Sequence, residues 1–390
     1  MPQIASNCLL RYTYSVAKKK IVITGGHLTP ALAVIEELEK KKRWLIYFLG
    51  RRYTSEAKRT VSMEVELLRK KKLTFIPIAA GKIQRRWNRY AFLSYLKIPF
   101  GFFQAFYYLL KIRPQIVLSF GGYVSVPIVL AGWLLRTPII NHEQTTTYGL
   151  ASKFNSLFAQ KIAVSWSSSK KFFPKKKVVL TGNPIRKNLL KFDKKIWQVF
   201  GFDSQLPLIF ITGGNQGSHI INQTTKEIIG QLVKDHNVFH QAGHLNVKGD
   251  FEELKETRQK LPFKLRKRYH CKKYLNDREM GTFLNKADLV VSRAGANIVT
   301  ELAVLGKPSL FIPIPWSYAD EQNKNAEMLV KTGTAKILPQ SQLTPEKLYQ
   351  SIKEVIANLQ AYKKNSAKAK KLVRLDAAKK IVNLIEESVR

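Results

Sequence analysis

The 390-residue chain has 66 lysine and arginine residues against 27 aspartate and glutamate residues, which gives a formal net charge of +39. Its length suggests two domains, and a hydrophobic content of 45% argues against a disordered chain. Two cysteines, Cys8 and Cys271, are too few for a disulfide framework or a zinc site, so we expect a reducing, cytoplasmic environment.

The basic excess leaves two explanations open. It reflects either a general lysine bias on solvated faces or an anionic partner such as nucleic acid, anionic lipid or a phosphorylated substrate. Clusters such as Lys40–Arg43 and Lys175–Lys177 lie between apolar segments along the whole chain and do not form one arm. This distribution argues against a protein that only binds nucleic acid, and we expect no specific nucleic-acid partner.

The N-terminal residues 1–18 contain neither a sustained apolar stretch nor a cleavage-like end. We therefore expect an N-terminal extension, which can be disordered, and no signal peptide. The segment nearest to a transmembrane span is Ala91–Leu110, which is interrupted by Lys97, Pro99 and Gly101. No segment is therefore apolar enough to cross a bilayer.

Short apolar runs alternate with helical stretches, which predicts βα units and doubly wound parallel sheets. The first half has predicted strands Ile21–Thr24, Trp44–Leu49, Phe75–Pro77, Ile116–Ser119 and Pro138–Asn141, with helices Pro30–Lys40 and Val126–Leu135. The second half has predicted strands Leu208–Thr212, Leu289–Ser292 and Ser309–Pro313, with helices Ile220–Lys234, Ile298–Leu305 and Glu321–Thr332.

This pattern predicts an α/β protein with two Rossmann-like domains that face a cleft. The break at Gly182-Asn183-Pro184 places the N-terminal domain at 19–187 and the C-terminal domain at 188–365. Residues 366–390 have a charged helical pattern, and this helix either packs on the second domain or crosses back to the first.

Glycine pairs follow two predicted strands of the first half, as Gly25, Gly26 and His27 after the first strand and Gly121, Gly122 and Tyr123 after Ile116–Ser119. Glycine lets the backbone turn tightly and approach a ligand at the carboxyl ends of the strands. His27 is either a side chain of the crevice or a solvated loop residue. The turns match neither G-x-G-x-x-G nor a Walker A loop, so a dinucleotide enzyme is disfavoured.

His142 and Glu143 follow the strand Pro138–Asn141 and resemble an acid–base pair. Because they are adjacent in the chain, their side chains need not face each other. We expect a structural role for one of them.

In three elements of the second half, a predicted strand is likewise followed by a turn and the start of a helix. The turn Thr212–Gly217, which contains Asn215, and the turn Gly295-Ala296-Asn297 each precede a helix whose free amides can hold a diphosphate. Glu301 is suited either to a ribose diol or only to the positive end of its helix. The carboxamides of Gln322 and Asn325 can bind sugar hydroxyls or mark a solvated helix start.

The ordered motifs GGH, FGGYVSVP, HEQ, GNPIR, GGNQGS, SRAGANIVTEL and DEQNKNA together resemble the MurG family, from about Lys19 to the C-terminus. These are the UDP-N-acetylglucosamine–N-acetylmuramyl-(pentapeptide) pyrophosphoryl-undecaprenol N-acetylglucosamine transferases of glycosyltransferase family 28. The resemblance implies a GT-B fold and an inverting transfer of GlcNAc from UDP-GlcNAc to the muramyl 4-hydroxyl of lipid I, which produces lipid II in peptidoglycan synthesis.

The resemblance also implies residue roles. The expected UDP-GlcNAc contacts are Arg186, Asn215, Gly295, Ala296, Asn297, Glu301, Gln322 and Asn325. The expected acceptor contacts are Gly25, Gly26, Gly121, Gly122 and Tyr123, with His27 as candidate base. No Asp-x-Asp motif is present, so we expect no metal site and no obligatory cofactor, with Mg²⁺ stimulatory at most.

Three positions depart from the family pattern. The first turn is TGGH where relatives have a longer GGTGGH, Thr145 stands where an asparagine follows HEQ, and Asn215 replaces a serine. These changes leave the reaction class intact but put the acceptor cradle and individual sugar contacts in question.

Aromatic and basic residues alternate between Trp87 and Leu110. This pattern predicts a peripheral contact with an anionic membrane, on its cytoplasmic face, through Trp87, Phe92, Phe100, Phe102 and Phe103. An aromatic-rich core helix is the alternative. A lipid acceptor favours the membrane contact, and other cell-wall synthesis proteins are compatible partners.

Two rival functions remain at this point. One is a related transferase with another lipid acceptor, such as diacylglycerol or another polyprenyl glycolipid. The other is a basic nucleic-acid-binding protein, which the charge supports but the ordered motifs do not explain.

Overall fold

The computed structural model describes residues 18–55, 60–61, 63–81, 89–244 and 249–389. In these residues the chain forms a seven-stranded and a six-stranded sheet, in both of which all paired strands run parallel. Strands such as Ile116–Ser119 and Leu208–Thr212 are apolar and fully buried because helices cover both faces of each sheet.

The N-terminal half contains the seven-stranded sheet, in the order β5-β2-β1-β6-β7-β8-β9, and a small antiparallel pair, β3 and β4. The strands are β1 Lys19–Thr24, β2 Trp44–Gly50, β3 Tyr53–Ser55, β4 Thr60–Val61, β5 Thr74–Pro77, β6 Ile116–Ser119, β7 Ile139–Glu143, β8 Lys161–Val164 and β9 Val178–Leu180. The helices are α1 Leu28–Lys40, α2 Met63–Lys70, α3 Arg89–Ile112, α4 Ser125–Leu134 and α5 Leu150–Phe158.

A short helix, α6 Lys194–Gln198, precedes the six-stranded sheet of the C-terminal half, whose order is β12-β11-β10-β13-β14-β15. The strands are β10 Leu208–Thr212, β11 Asn237–Gln241, β12 Tyr269–Lys272, β13 Leu289–Ser292, β14 Ser309–Phe311 and β15 Ala335–Ile337. The helices are α7 His219–Asp235, α8 Asp250–Lys260, α9 Phe263–Arg266, α10 Asp277–Lys286, α11 Ala296–Leu305, α12 Glu321–Val330, α13 Pro345–Ala357, α14 Leu359–Lys364, α15 Ser366–Lys370 and α16 Ala377–Ser388.

The α/β, GT-B-type fold class is confirmed by these two parallel sheets. Each strand predicted from the sequence overlaps an observed strand. The prediction omitted short strands such as β9 and β15, which have three residues each and too few positions for a clear periodicity.

The C-terminal segment consists of two helices where the sequence pattern predicted one. The second of them, α16, packs against α1, and Ile381 and Ile385 are fully buried in the core of the N-terminal half. Glu386 adds ion pairs to Lys41 and Arg43. The last helix therefore ties the end of the chain to the first domain, across the cleft.

Candidate active site

A cavity of about 710 Å³ lies between the two halves, at the carboxyl ends of β1, β10 and β13. Most of its wall comes from the C-terminal half. It is lined by His27, Thr29, Arg186, Thr212–Ile220, Met280, Arg293, Gly295–Ile298, Glu301, Ile314, Trp316, Glu321, Gln322 and Gln340.

The turn after β10 forms one side of this cavity. The Gly214 amide donates to Thr212 Oγ1 at 2.9 Å, and Gly217 has a φ of 86° with the Ala242 carbonyl packed where a Cβ would stand. Only glycine fits this position. The turn delivers Ser218 to the start of α7, where its buried hydroxyl has no hydrogen-bond partner among the described residues.

The second helix that opens onto the cavity is α11. Gly295 precedes it with extended backbone, and Gly295, Ala296 and Asn297 all line the cavity. The Asn297 side chain accepts a hydrogen bond from Asn183 Nδ2 at 3.2 Å. Two helix N-termini thus converge on one space, which suits a ligand with negative charge at its centre.

Arg186 and Glu301 form a buried ion pair in the wall. Arg186 Nη2 lies 3.1 Å from Glu301 Oε1, and Nη1 lies 2.5 Å from Asp277 Oδ1. Burial favours the neutral guanidine, but the two carboxylates raise the pKa of Arg186 above its ordinary value. Burial also raises the pKa of Glu301, while Arg186 opposes that shift. Arg186 therefore positions Glu301 as well as facing the cavity itself.

Arg293 is a cavity cation that the sequence analysis did not single out. Its Nη1 donates to the carbonyl of Ile312 at 2.9 Å, and burial lowers its pKa to about 10, so it stays charged at neutral pH. No carboxylate pairs with it in the described part of the chain. The sequence could have indicated Arg293 through its position directly after β13, because that position lies at the ligand-binding edge of a parallel sheet.

The two carboxamides of α12 have different surroundings. Gln322 lines the cavity, and its Oε1 accepts hydrogen bonds from the amides of Ala294 and Ile314, at 3.3 and 3.1 Å. Asn325 is only 1% exposed, and its Oδ1 accepts from Thr146 Oγ1 at 2.9 Å. The Asn325 amide therefore joins the two halves in this structure and is not among the described residues that line the cavity, and its role as a sugar contact stays a prediction.

Glu321, beside Gln322, is a second residue that the sequence analysis missed. It lines the cavity, and burial together with the nearby charge of Glu143 raises its pKa to about 7. The sequence holds no signal for this shift of the pKa, because it depends first on burial in the folded protein and then on an acid from the other half.

His27 lines the cavity from the N-terminal half, together with Thr29. Burial, reinforced by the charge of Arg51, lowers its pKa to about 4, so the ordinary value near 6.5 assumed from the sequence does not apply. The ring is neutral at physiological pH.

The glycine pairs Gly25–Gly26 and Gly121–Gly122 pack against each other beside His27. Gly26 donates to the Gly121 carbonyl at 3.0 Å, and a Cβ on Gly25 would lie 2.8 Å from the Phe120 backbone. Neither pair, nor Tyr123, is among the described residues that line the cavity. Their position is beside this cavity.

His142 and Glu143 are both buried but face different partners. His142 Nε2 lies 3.3 Å from the Gly182 carbonyl, and burial lowers its pKa to about 3. Glu143 accepts hydrogen bonds from the amides of Thr145 and Gly149, both at 2.9 Å. Each residue therefore stabilises a loop, and the two do not form an acid–base pair.

The helix α3 carries an apolar outer face. Phe100, Phe103, Tyr107 and Leu110 are exposed, at spacings that place them on one side of the helix, whereas Phe102 is half-buried. Trp87 and the side chain of Phe92 lie outside the described residues. Among the described helices, none is long and apolar enough to cross a membrane.

In the described ranges, no three His, Cys, Asp or Glu side chains cluster in a way that could hold a metal ion.

Comparisons with known proteins match both halves of the chain. The glycosyltransferase family 28 N-terminal domain matches residues 23–164, and the corresponding C-terminal domain matches residues 208–381. The UDP-N-acetylglucosamine–N-acetylmuramyl-(pentapeptide) pyrophosphoryl-undecaprenol N-acetylglucosamine transferase of Clostridium kluyveri is 35% identical over 376 residues, covering 95% of this chain and 99% of the relative. A similarly named enzyme of Bacillus anthracis is 33% identical over 380 residues, covering 95% of this chain and 100% of the relative.

Solved structures agree with these matches. The crystal structure of Acinetobacter baumannii MurG has 26% sequence identity and a TM-score of 0.66, and the alignment covers 95% of this chain and 99% of that one. UDP-GlcNAc 2-epimerase from Neisseria meningitidis, with 17% identity and a TM-score of 0.69 over 95% of this chain and 100% of that one, shares the fold.

Proposed function

The chain belongs to the MurG family within glycosyltransferase family 28, and on that premise we propose that it transfers N-acetylglucosamine from UDP-GlcNAc to lipid I. The acceptor atom is the 4-hydroxyl of the muramyl sugar of undecaprenyl-pyrophosphoryl-MurNAc-pentapeptide, and the product is lipid II. The observation that carries this proposal is the cavity between the halves, where two helix N-termini, Glu301 and His27 meet.

The donor fits the C-terminal wall of the cavity. The free amides at the starts of α7 and α11 suit the diphosphate. Glu301 can accept hydrogen bonds from the ribose diol, since Arg186 holds one of its oxygens and fixes its orientation. Gln322 and Glu321 lie where they can contact the sugar.

In the transfer, the muramyl 4-hydroxyl attacks the anomeric carbon of GlcNAc from the side opposite the diphosphate. The new C–O bond forms as the bond to the phosphate oxygen breaks, the configuration inverts, and UDP leaves with the bonding electrons. Helix amides and Arg293 stabilise the charge that develops on UDP.

Two side chains in the cavity can accept the proton of the 4-hydroxyl. His27 is neutral above about pH 5 and faces the cavity from the N-terminal half, where we place the acceptor. Its low pKa makes it a weak base in the empty site, but the negative diphosphate of the acceptor would raise its basicity. Glu321, with a pKa of about 7, is the competing proton acceptor. We assign the role to His27.

The acceptor lipid requires a membrane contact, which we assign to the outer face of α3. Phe100 and Phe103 are 62% and 67% exposed, and two exposed basic residues, Lys111 in the last turn of the helix and Arg113 directly after it, lie nearby in the chain. Aromatic side chains favour the bilayer interface, and each nearby cation adds about 1 kcal/mol on an anionic surface. The protein would then be peripheral at the cytoplasmic face of the cell membrane.

The deciding experiment is transfer of radiolabelled GlcNAc by the full-length protein to purified lipid I, with diacylglycerol and a polyprenyl glycolipid as competing acceptors. We expect a labelled product with lipid I only. Transfer to diacylglycerol but not to lipid I would overturn the acceptor assignment. Absence of UDP-GlcNAc binding would overturn the activity itself.

A further inference from the structure

A histidine–aspartate pair in the cavity wall has no role in the transfer described above. His219, the first residue of α7, lines the cavity and keeps 43% of its side chain exposed. Its Nδ1 lies 2.6 Å from Oδ1 of Asp250, the first residue of α8. The described residues make no hydrogen bond to Nε2, so the second ring nitrogen is available to a ligand.

Asp250 is held rigidly behind this ring. Its carboxylate accepts hydrogen bonds from Asn222 Nδ2 at 2.9 Å and from Gln223 Nε2 at 3.0 Å. Burial by itself raises the pKa of Asp250, but the bonds from Asn222, Gln223 and His219 outweigh it and lower the pKa below its ordinary value. The ionised carboxylate therefore fixes the His219 tautomer with a proton on Nδ1, and only the charged imidazolium can also donate from Nε2.

The arginines that line the cavity supply only one positive charge without a carboxylate partner among the described residues, which is too little to neutralise a dianionic ligand. Arg186 is paired with Asp277 and Glu301, so Arg293 is the lining cation without a carboxylate partner in the described chain. Next to His219, the Ser218 hydroxyl is more than nine-tenths buried, lines the cavity and has no hydrogen-bond partner among the described residues. A buried hydroxyl of this kind needs a partner, and an anion at the start of α7 would supply one.

We propose that the imidazolium of His219, paired with Asp250, donates a hydrogen bond from Nε2 to the diphosphate of the nucleotide-sugar donor. The inference rests on the proposed function, which places this diphosphate beside the start of α7. His219 is a substrate-binding residue, and Asp250 is a positioning residue that keeps the ring oriented through the contact with Nδ1.

Several other charged groups face the ring or the cavity: Asp250 directly, Glu253 and Lys226 through Gln223, and Arg186, Arg293, Glu301, Glu321 and His27 across the cavity. The test therefore keeps the pH constant and changes only the side chain at position 219 or 250.

The test is calorimetric titration of the full-length protein with UDP-GlcNAc at neutral pH. We expect His219→Gln to raise the Kd by about 10- to 100-fold. His219→Arg should keep tight binding, because it supplies a positive charge at the same position. Asp250→Asn should raise the Kd for UDP-GlcNAc but not for uridine.

Two controls separate a phosphate contact from a structural effect. Lys234→Gln removes a cation from the far, exposed end of α7 and should leave the Kd unchanged. Uridine, followed by ligand-observed NMR, lacks the diphosphate and should bind the His219→Gln protein as it binds the parent.

The outcomes are distinct. If the parent protein does not bind UDP-GlcNAc, the proposed function and this inference both fail. If the parent binds and His219→Gln has the same Kd, only the inference fails. Equal losses for UDP-GlcNAc and uridine would also overturn it, because they would show that His219 merely supports the fold.

Discussion

Replacing Glu301 by glutamine should separate ribose recognition from the structural ion pair that the same residue makes. Glu301 Oε1 accepts from Arg186 Nη2 at 3.1 Å, and the amide oxygen of glutamine can accept the same hydrogen bond. Arg186 also keeps Asp277 at 2.5 Å, so its guanidinium retains a carboxylate. We therefore expect the unliganded fold to survive the change.

The loss should appear in donor binding. A hydrogen bond to a charged group contributes about 1.5–3 kcal/mol, so the Kd for UDP-GlcNAc should rise roughly 10- to 150-fold. Donor at about 100 times the wild-type Kd stabilises the wild-type protein by about 2.7 kcal/mol, whereas binding that is about 100-fold weaker leaves about 0.4 kcal/mol. Thermal unfolding with and without UDP-GlcNAc measures this difference, and calorimetric titration measures the Kd directly.

Asp277→Asn is the matched control. It removes the other carboxylate partner of Arg186, but Asp277 is not among the described residues that line the cavity. This variant should lower the unfolding temperature without ligand and leave the donor Kd nearly unchanged. A Glu301→Gln Kd close to that of wild type, or an equal rise in Asp277→Asn, would refute the ribose assignment.

Three further predictions concern the proton acceptor, the membrane face and the last helix. His27→Ala should abolish turnover while UDP-GlcNAc still binds. In the wild type, kcat/KM should decrease as the pH falls through about 4, because His27 gains a proton there and can no longer act as a base. If kcat/KM instead decreases as the pH falls through about 7, and Glu321→Gln removes this decrease, then Glu321 is the proton acceptor. The double change of Phe100 and Phe103 to serine should weaken sedimentation with anionic vesicles while UDP-GlcNAc affinity is kept, and unchanged sedimentation would exclude this face. Ile381→Ala should lower the free energy of unfolding by about 2–5 kcal/mol in urea titrations, because the side chain is fully buried against the N-terminal core, whereas an unchanged midpoint would contradict that packing.

The sequence by itself determined the features that depend on neighbouring residues. Apolar periodicity identified strands such as β1, β6 and β10, and glycine pairs marked the turns at their carboxyl ends, because these properties are local. The motif order was also enough to predict the family and the fold class, both of which are confirmed. His27, Asn215, Glu301 and Gln322 were predicted as site residues, and the structure places them around one cavity; their roles remain predictions.

The tertiary structure decided which polar groups meet and how strongly each is perturbed. Arg186 pairs with Asp277 and Glu301, which lie 91 and 115 residues further along the chain. Asn325 is hydrogen-bonded to Thr146, which lies 179 residues before it. No local pattern encodes such distant pairs. Burial then moves the pKa of His27 to about 4 and that of Glu321 to about 7, because desolvation and nearby charge act through space. For the same reason, the pairing of His219 with Asp250, 31 residues away, is a property of the tertiary structure alone.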